Sequence, residues 1–421
     1  MQPTDELTQG TGSSTVVTHC QVCGSEDLAS SLFLGYLPPV NQMREIGARP
    51  HEQPAYPAEL LLCNQCSLVQ IGLVVDPHVL FPPDYPYTSG TTKILHQNFL
   101  ELHAECLELF GLEPDDLIVD IGSNDGTLLS KFKAGGHRVH GIEPTDAADL
   151  AVAADIPTLK AYISSESANA LLDEVGAARV ITATNCFAHI EDIHSVVSAI
   201  MNLLADDGVF VTESHYLMSL LETVQYDTVY HEHLRYYSLT SLQHLLAMNG
   251  LEVVHAKRIP THGGSIRVYA ARKGAMTPRS SVREILDDET AKGGMASQLA
   301  AFRDQVAASK YELLAMIAGI KDAGQRIVGI SAPSRASTLV NYVGIDESMM
   351  DCVLEIPGSR KIGKNMPGTV IPVVDEALLF DEQPDFALLM AWHIGDELAS
   401  KLRASGYKGQ FIIPLPEPRV I

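Results

Sequence analysis

Ile118-Val-Asp-Ile-Gly-Ser-Asn-Asp-Gly-Thr-Leu-Leu129 carries a short apolar strand, Leu117–Ile121, through a glycine turn into a helix predicted over Thr127–Ala134. Gly122 permits close approach of a ligand to the backbone, and Gly126 helps the turn enter the helix. The spacing is not G-x-G-x-x-G, which counts against a dinucleotide. Glu143 lies 23 positions beyond Asp120, at the end of the next strand (Val139–Ile142), where an acid can hold ribose hydroxyls. Taken alone, the loop fits any Rossmann-like ligand site, or a tight strand–helix turn that binds nothing.

Around this turn the chain alternates strands and helices. Arg179–Thr184, Gly208–Glu213, Leu251–Arg258 and Ser265–Arg272 read as further strands of a largely parallel, doubly wound sheet. A helical periodicity over 91–112 (Ile94, Leu95, Phe99, Leu102) precedes them. Residues 278–322 read as charged helix, a bridge to a second α/β set with strands at Ile327–Ile330, Met349–Leu354, Phe386–Met390 and Phe411–Pro414. Residues 1–17 read as a disordered tail without a secretion signal. The expected parts are an 18–80 lobe, an 81–275 core domain, a 276–322 helical bridge and a 323–421 C-terminal α/β domain. A Pro- and Tyr-rich connector, Phe81-Pro-Pro-Asp-Tyr-Pro-Tyr-Thr-Ser-Gly90, is unsuited to a helix or a central strand.

The N-terminal lobe holds two Cys-x-x-Cys pairs, Cys20/Cys23 and Cys63/Cys66, enclosing 39 residues. Two such turns complete a tetrahedral four-sulfur shell for Zn²⁺; the alternative is free or disulfide-bonded cysteines. No histidine or acid suggests an open coordination position, so the zinc is expected to be structural. Cys106, Cys186 and Cys352 are isolated and expected to be packed.

Composition agrees with an α/β protein: 46% hydrophobic and 6% aromatic residues in 421, enough for two or three domains. No apolar run is long enough to span a membrane. The formal charge of −23 argues against non-specific binding to nucleic acid or anionic membranes, while leaving room for a local anion site. Reduced, metal-ready cysteines suit a cytoplasmic location.

Tyr230-His-Glu-His233 is the densest acid–base group in the chain. It precedes Ser238-Leu-Thr-Ser-Leu-Gln243, read as a helix start with a Thr240…Gln243 capping box, and so belongs on a loop at the sheet edge. Zincin spacing is absent; metal binding and a structural role stand beside acid–base work. Acid–base work suits carbon methylation: a ketone makes the neighbouring C–H acidic, imidazole is matched to removing that proton, and Tyr or His can stabilise the enolate oxygen.

The glycine turn with Gly141-Ile-Glu-Pro144 resembles S-adenosylmethionine-dependent methyltransferases. Together with the cysteine pairs, Tyr85-Pro-Tyr-Thr-Ser89, Ala183-Thr-Asn-Cys-Phe-Ala-His-Ile190, Tyr226-Asp-Thr-Val-Tyr-His-Glu-His233, His262-Gly-Gly-Ser265 and Met366-Pro-Gly-Thr-Val-Ile-Pro372, it is similar to zinc-containing sugar C-methyltransferases of deoxysugar pathways. The resemblance covers most of the chain. It implies a Rossmann-like methyltransferase core between a zinc lobe and a C-terminal Rossmann-like domain. It also implies His233 as base, with Tyr230, Glu232, His189 and Tyr85 around the reaction. Asp120, Gly122, Asn124, Asp125, Gly126, Glu143, Asn185, Tyr87 and Ser89 are then expected at S-adenosylmethionine, and His231, His262, Gly263, Ser265, Arg335 and Lys361 at the substrate. For Tyr85 and Tyr87, simple packing of the zinc lobe is the alternative.

Gly329-Ile-Ser-Ala-Pro-Ser-Arg-Ala-Ser337 follows a strand and opens a helix, as a phosphate cradle does. The family usually reads Gly-Tyr-Gly-Ala-Pro-Ala-Lys-Gly-Asn there, so two glycines are missing, although Arg335 can contact a diphosphate bidentately. Glu355-Ile-Pro-Gly-Ser-Arg-Lys-Ile-Gly363 departs likewise from Asp-Arg-Asn-Pro-x-Lys. The substrate is therefore either a nucleotide sugar with altered contacts or a group carried differently. The leading expectation is C-methylation of a 4-keto deoxysugar nucleotide in an antibiotic or glycan pathway. The rivals are C- or O-methylation of a non-sugar molecule, and a zinc-stabilised, non-catalytic binding protein.

Overall fold

The computed structural model describes residues 14–49, 53–81 and 93–421. Its central sheet has seven strands in the order Leu251–Ile259, Ser265–Arg272, Leu204–His215, Ala178–Thr184, Leu117–Ile121, Arg138–Ile142 and Thr158–Leu159. The last five run parallel, while the first two form an antiparallel edge. Leu117–Ile121 lies inside this sheet and is buried at every position, as an apolar parallel strand covered on both faces must be. The ends of three parallel strands, at Ile121, Ile142 and Thr184, thus open side by side where a doubly wound sheet builds its site.

The zinc lobe contributes a four-stranded sheet in the order Arg235–Tyr236, Val69–Ile71, Tyr56–Cys63, Leu28–Leu37. Its edge strand comes from the segment just after the Tyr-His-Glu-His cluster. The pairing Arg235↔Gln70 and Tyr236↔Val69 joins regions that local sequence patterns cannot connect. The C-terminal sheet runs Val373–Asp375, Val353–Glu355, Ile327–Ile330, Phe386–Leu389, Gln410–Ile413, Arg419–Val420, parallel except for the last.

The 28-residue helix Met295–Asp322 buries Leu299, Phe302, Val306, Ser309, Leu313, Ile317 and Ile320, a stripe at three- and four-residue spacing. Each large apolar side chain so buried contributes about 1.5–3 kcal/mol. The stripe belongs to one apolar core that also takes Leu32, Leu34 and Leu60 of the zinc lobe and Leu339 and Val353 of the C-terminal domain. Cys20, Cys63, Cys66 and Leu68 join the core of the seven-stranded sheet instead. The lobe is thereby wedged between its two neighbours.

The expected cap of the helix Leu239–Met248 is corrected. Ser238 is the N-cap, with extended backbone, and closes its capping box with Ser241. Thr240 already lies inside the helix, where Glu289 accepts from its N–H (3.0 Å) and from the Leu239 N–H (2.6 Å). A buried carboxylate thus meets the positive end of the helix dipole. The strand expected at Met349–Leu354 occupies only Val353–Glu355. Among the described residues, no helix is long and apolar enough to cross a membrane.

Candidate active site

Asp120, at the end of its strand, is buried and accepts the Thr182 hydroxyl at 2.6 Å; burial pushes its pKa up to about 8. Gly122 adopts φ 68°, and a Cβ there would lie 2.9 Å from Cys186 Cβ. The glycine is therefore demanded by packing as well as by its left-handed turn. Glu143 holds the turn: it accepts from Asn124 N–H (3.0 Å), Thr145 N–H (2.9 Å) and the Thr145 hydroxyl (2.6 Å). Asp125 accepts from Thr127 N–H and hydroxyl, and Gly126, at φ 76°, is the N-cap of Thr127–Ala134. Asn185, also left-handed at φ 58°, begins the loop beyond the third strand. An acid beside a glycine turn and a polar loop at neighbouring strand ends fit an adenosyl ligand, whose ribose hydroxyls are donors. Tyr85, Tyr87 and Ser89 lie outside the described residues.

His189 and His233 face each other, with ring centroids 4.9 Å apart, and Tyr230 stacks on His233 at 4.1 Å. His233 Nδ1 is 2.8 Å from Thr228 O, and His189 Nδ1 is 2.6 Å from Glu232 O. A carbonyl can only accept, so both Nδ1 atoms carry the proton and both Nε2 atoms present a lone pair. Burial, reinforced by His189, holds His233 well below the usual imidazole range, and burial lowers His189 too. Glu232 accepts from Asn41 Nδ2 at 2.8 Å. Asn41 in turn accepts from Ser334 Oγ at 3.2 Å, so zinc lobe, histidine loop and C-terminal helix meet at one amide.

The expected substrate residues divide. His231 Nε2 is taken by Pro57 O of the zinc lobe at 3.0 Å. Ser265 donates to Thr261 O at 3.0 Å. Lys361 is half-buried and donates to Ala332 O; desolvation lowers its pKa, which Glu355 and Glu232 oppose. His262 is left-handed (φ 55°) beside Gly263 (φ 88°), and its buried Nε2 has no partner among the described residues. Arg335 is engaged by protein: its Nε and NH2 bind both oxygens of Asp227 at 2.7 and 2.8 Å. Its NH2 also reaches Gln225 Oε1 (3.0 Å), and its NH1 reaches His393 Nδ1 (3.1 Å). Sequence reading missed His215, Gln225, Asp227, Trp392 and His393. His215 donates through Nε2 to the same Gln225 oxygen at 3.1 Å. Burial is the first cause lowering His215 and His393 to about 3 and His262 to about 4, with the Arg335 charge second. His215 closes a strand and His393 follows the Phe386–Leu389 strand. Strand ends were the signal that could have found them.

The four lobe cysteines are unbridged, with Cys20–Cys66 and Cys23–Cys63 sulfurs 3.5 Å apart and all four within 4.8 Å. A disulfide is about 2.05 Å, whereas four sulfurs about 2.3 Å from a zinc are separated by about 3.8 Å. The set fits zinc with no position left open.

Sheet, turn and cysteine shell together define an S-adenosylmethionine-dependent methyltransferase with a structural zinc lobe. Residues 20–81 match a zinc binding domain family, 94–256 a methyltransferase domain family, and 260–416 the C-methyltransferase C-terminal domain family. C-methyltransferase NovU of Streptomyces niveus is 32% identical over 412 residues, covering 96% of this chain and 97% of that protein. Among solved structures, magnesium protoporphyrin IX methyltransferase (ChlM) of Synechocystis PCC 6803 has 14% identity and TM-score 0.32, over 42% of this chain and 79% of its own. A methyltransferase of Clostridium acetobutylicum ATCC 824 has 12% identity and TM-score 0.34, over 42% and 92%. The chain belongs to the C-methyltransferase family represented by NovU.

Proposed function

We propose that the acceptor is a 4-keto deoxysugar, carried on a nucleotide, and that His233 removes the proton from the carbon to be methylated. The observation that carries this reading is the Nδ1–H bond from His233 to Thr228 O, which leaves Nε2 as a lone pair in a neutral ring. Nε2 takes the α-proton, and the C–H electron pair passes into the enolate, whose oxygen needs a donor. With Nδ1–H spent on Glu232 O, His189 Nε2 accepts a substrate hydroxyl, and the Tyr230 hydroxyl supplies the donor. S-adenosylmethionine, when bound, supplies the electrophilic methyl group. With the cofactor bound, the enolate carbon would have to lie in line with its sulfur–methyl bond, the thioether being the leaving group, so this chain contributes mainly alignment. The reaction belongs to cytoplasmic deoxysugar biosynthesis for an antibiotic or glycan. A second reading, favoured by Arg335 being held by Asp227, keeps the chemistry but carries the keto compound without a diphosphate at Arg335.

The test is incubation with S-adenosylmethionine and 4-keto deoxysugars, with and without a nucleotide, followed by mass spectrometry. Gain of one methyl is expected on the nucleotide-linked form. Solvent deuterium entering next to the ketone without methyl donor reports the base, and His233→Ala should lower that exchange at least 100-fold. No exchange and no product with any keto sugar removes the reading; normal exchange in His233→Ala removes the base assignment.

A further inference from the structure

We propose that Asp227 and Arg335 are a pair of positioning residues by which the C-terminal domain holds the His233 segment in its basic geometry; this rests on His233 being the base. The Asp227 carboxylate is fully buried and receives three donors: Arg335 Nε at 2.7 Å, Arg335 NH2 at 2.8 Å and Trp392 Nε1 at 2.8 Å. The guanidinium lies over the Trp392 ring at 5.0 Å. Four of its five N–H groups are engaged by Asp227, Gln225 and His393, which leaves no bidentate fork for an external phosphate. The residue after Asp227 is Thr228, whose carbonyl fixes the tautomer of His233. One residue further, Val229 O accepts from Thr338 Oγ1 at 3.4 Å, on the same helix as Arg335. The planar fork on Asp227 therefore sets the path of Asp227–Val229, and that path decides where the Thr228 oxygen and the His233 ring lie.

A buried pair of this kind is costly to break from one side and milder to replace from both. Arg335→Lys keeps the charge but loses the fork; Arg335→Gln and Asp227→Asn each strand one charge; the double variant replaces the ion pair by two amides. We expect Arg335→Lys to lower kcat about 100-fold, the scale of a small misplacement, with KM for the keto acceptor changed less than threefold. Deuterium exchange into the acceptor should fall in parallel, and the double variant should recover at least tenfold over either single one. Trp392, the only tryptophan, and amide exchange over 225–233 read the clasp without substrate: both should change in Arg335→Lys and return toward wild type in the double variant. A tenfold rise in KM with kcat unchanged would make Arg335 a substrate ligand and overturn the proposal, as would unchanged kinetics. If the single variants do not fold, the double variant decides, and its folding without recovery of exchange counts against the clasp. If the wild type acts on no keto sugar, the base reading fails while tryptophan emission and amide exchange still report the pairing.

Discussion

Buried histidines keep their protons where carbonyls demand them, and the cost of that arrangement is read out by pH. His215, His231, His262 and His393 are held at about 3 to 4 in the folded chain, mainly by burial. Unfolded, each titrates near 6.5. The unfolded state therefore binds more protons below pH 6.5, and folding stability falls as pH is lowered toward the folded values. Between pH 7 and 5 this amounts to about 2 kcal/mol per histidine. Asp120 acts oppositely: its pKa is raised to about 8, so its protonated folded form gains as pH falls, by an amount similar to one histidine. Four against one leaves a net loss, and the urea midpoint is expected to be lower at pH 5 than at pH 7. A midpoint that rises would mean these rings are protonated in the native protein. By the same sign, the acid limb of the His233-dependent deuterium exchange should lie well below pH 6.5.

A two-residue strand has consequences larger than its length. Arg235–Tyr236 completes the zinc-lobe sheet, and the Arg235 guanidinium donates to Ile190 O (2.5 Å) and Glu191 O (2.6 Å), next to His189. Opposite it, the buried Gln70 amide accepts from Gln21 N–H at 2.9 Å and donates to His19 O at 3.2 Å. The metal knuckle, a central strand and both site histidines thus form one hydrogen-bonded run. Gln70→Ala strands the Gln21 N–H and is expected to cost about 1–3 kcal/mol. Faster amide exchange over 234–237 and faster zinc loss should accompany it; zinc loss alone would show that the run ends at the knuckle. This run also marks where sequence reading stops. Leu117–Ile121, Thr127–Ala134 and Ser265–Arg272 were legible to the residue because period and glycine turns are local signals. The cysteine shell was legible from spacing, and His189 and His233, singled out by family motifs, lie side by side. The Arg235–Tyr236 strand and the partner of Arg335 depend on residues remote in sequence, and no local pattern encodes them. His215 and His393 look like ordinary lone histidines until the sheets place their strand ends together.

Across the whole molecule, the zinc lobe touches both of its neighbours. It contributes Asn41 to Glu232, Pro57 to His231 and a strand partner to Arg235. His194 of the methyltransferase domain bonds Val22 O, inside the first cysteine turn, at 2.7 Å. Structural zinc supplies folding free energy directly, so chelation should lose amide protection over 56–71 and 229–237 together. The strands Ile327–Ile330 and Phe386–Leu389, remote from the metal, should keep theirs, and deuterium exchange into a keto acceptor should fall with the first group. Protection lost everywhere at once would instead make the protein a single cooperative unit. The C-terminal domain reaches back to both: Lys364–Asn365 pairs with Arg44–Glu45 of the lobe, and Trp392 bonds Asp227 of the methyltransferase domain. Chains generally fold from the N-terminus onward, and during synthesis the proposed base at position 233 leaves the ribosome well before positions 335 and 392. On the clasp proposed above, a nascent chain can therefore close its central sheet and take up zinc before Arg335 and Trp392 are present to hold Asp227.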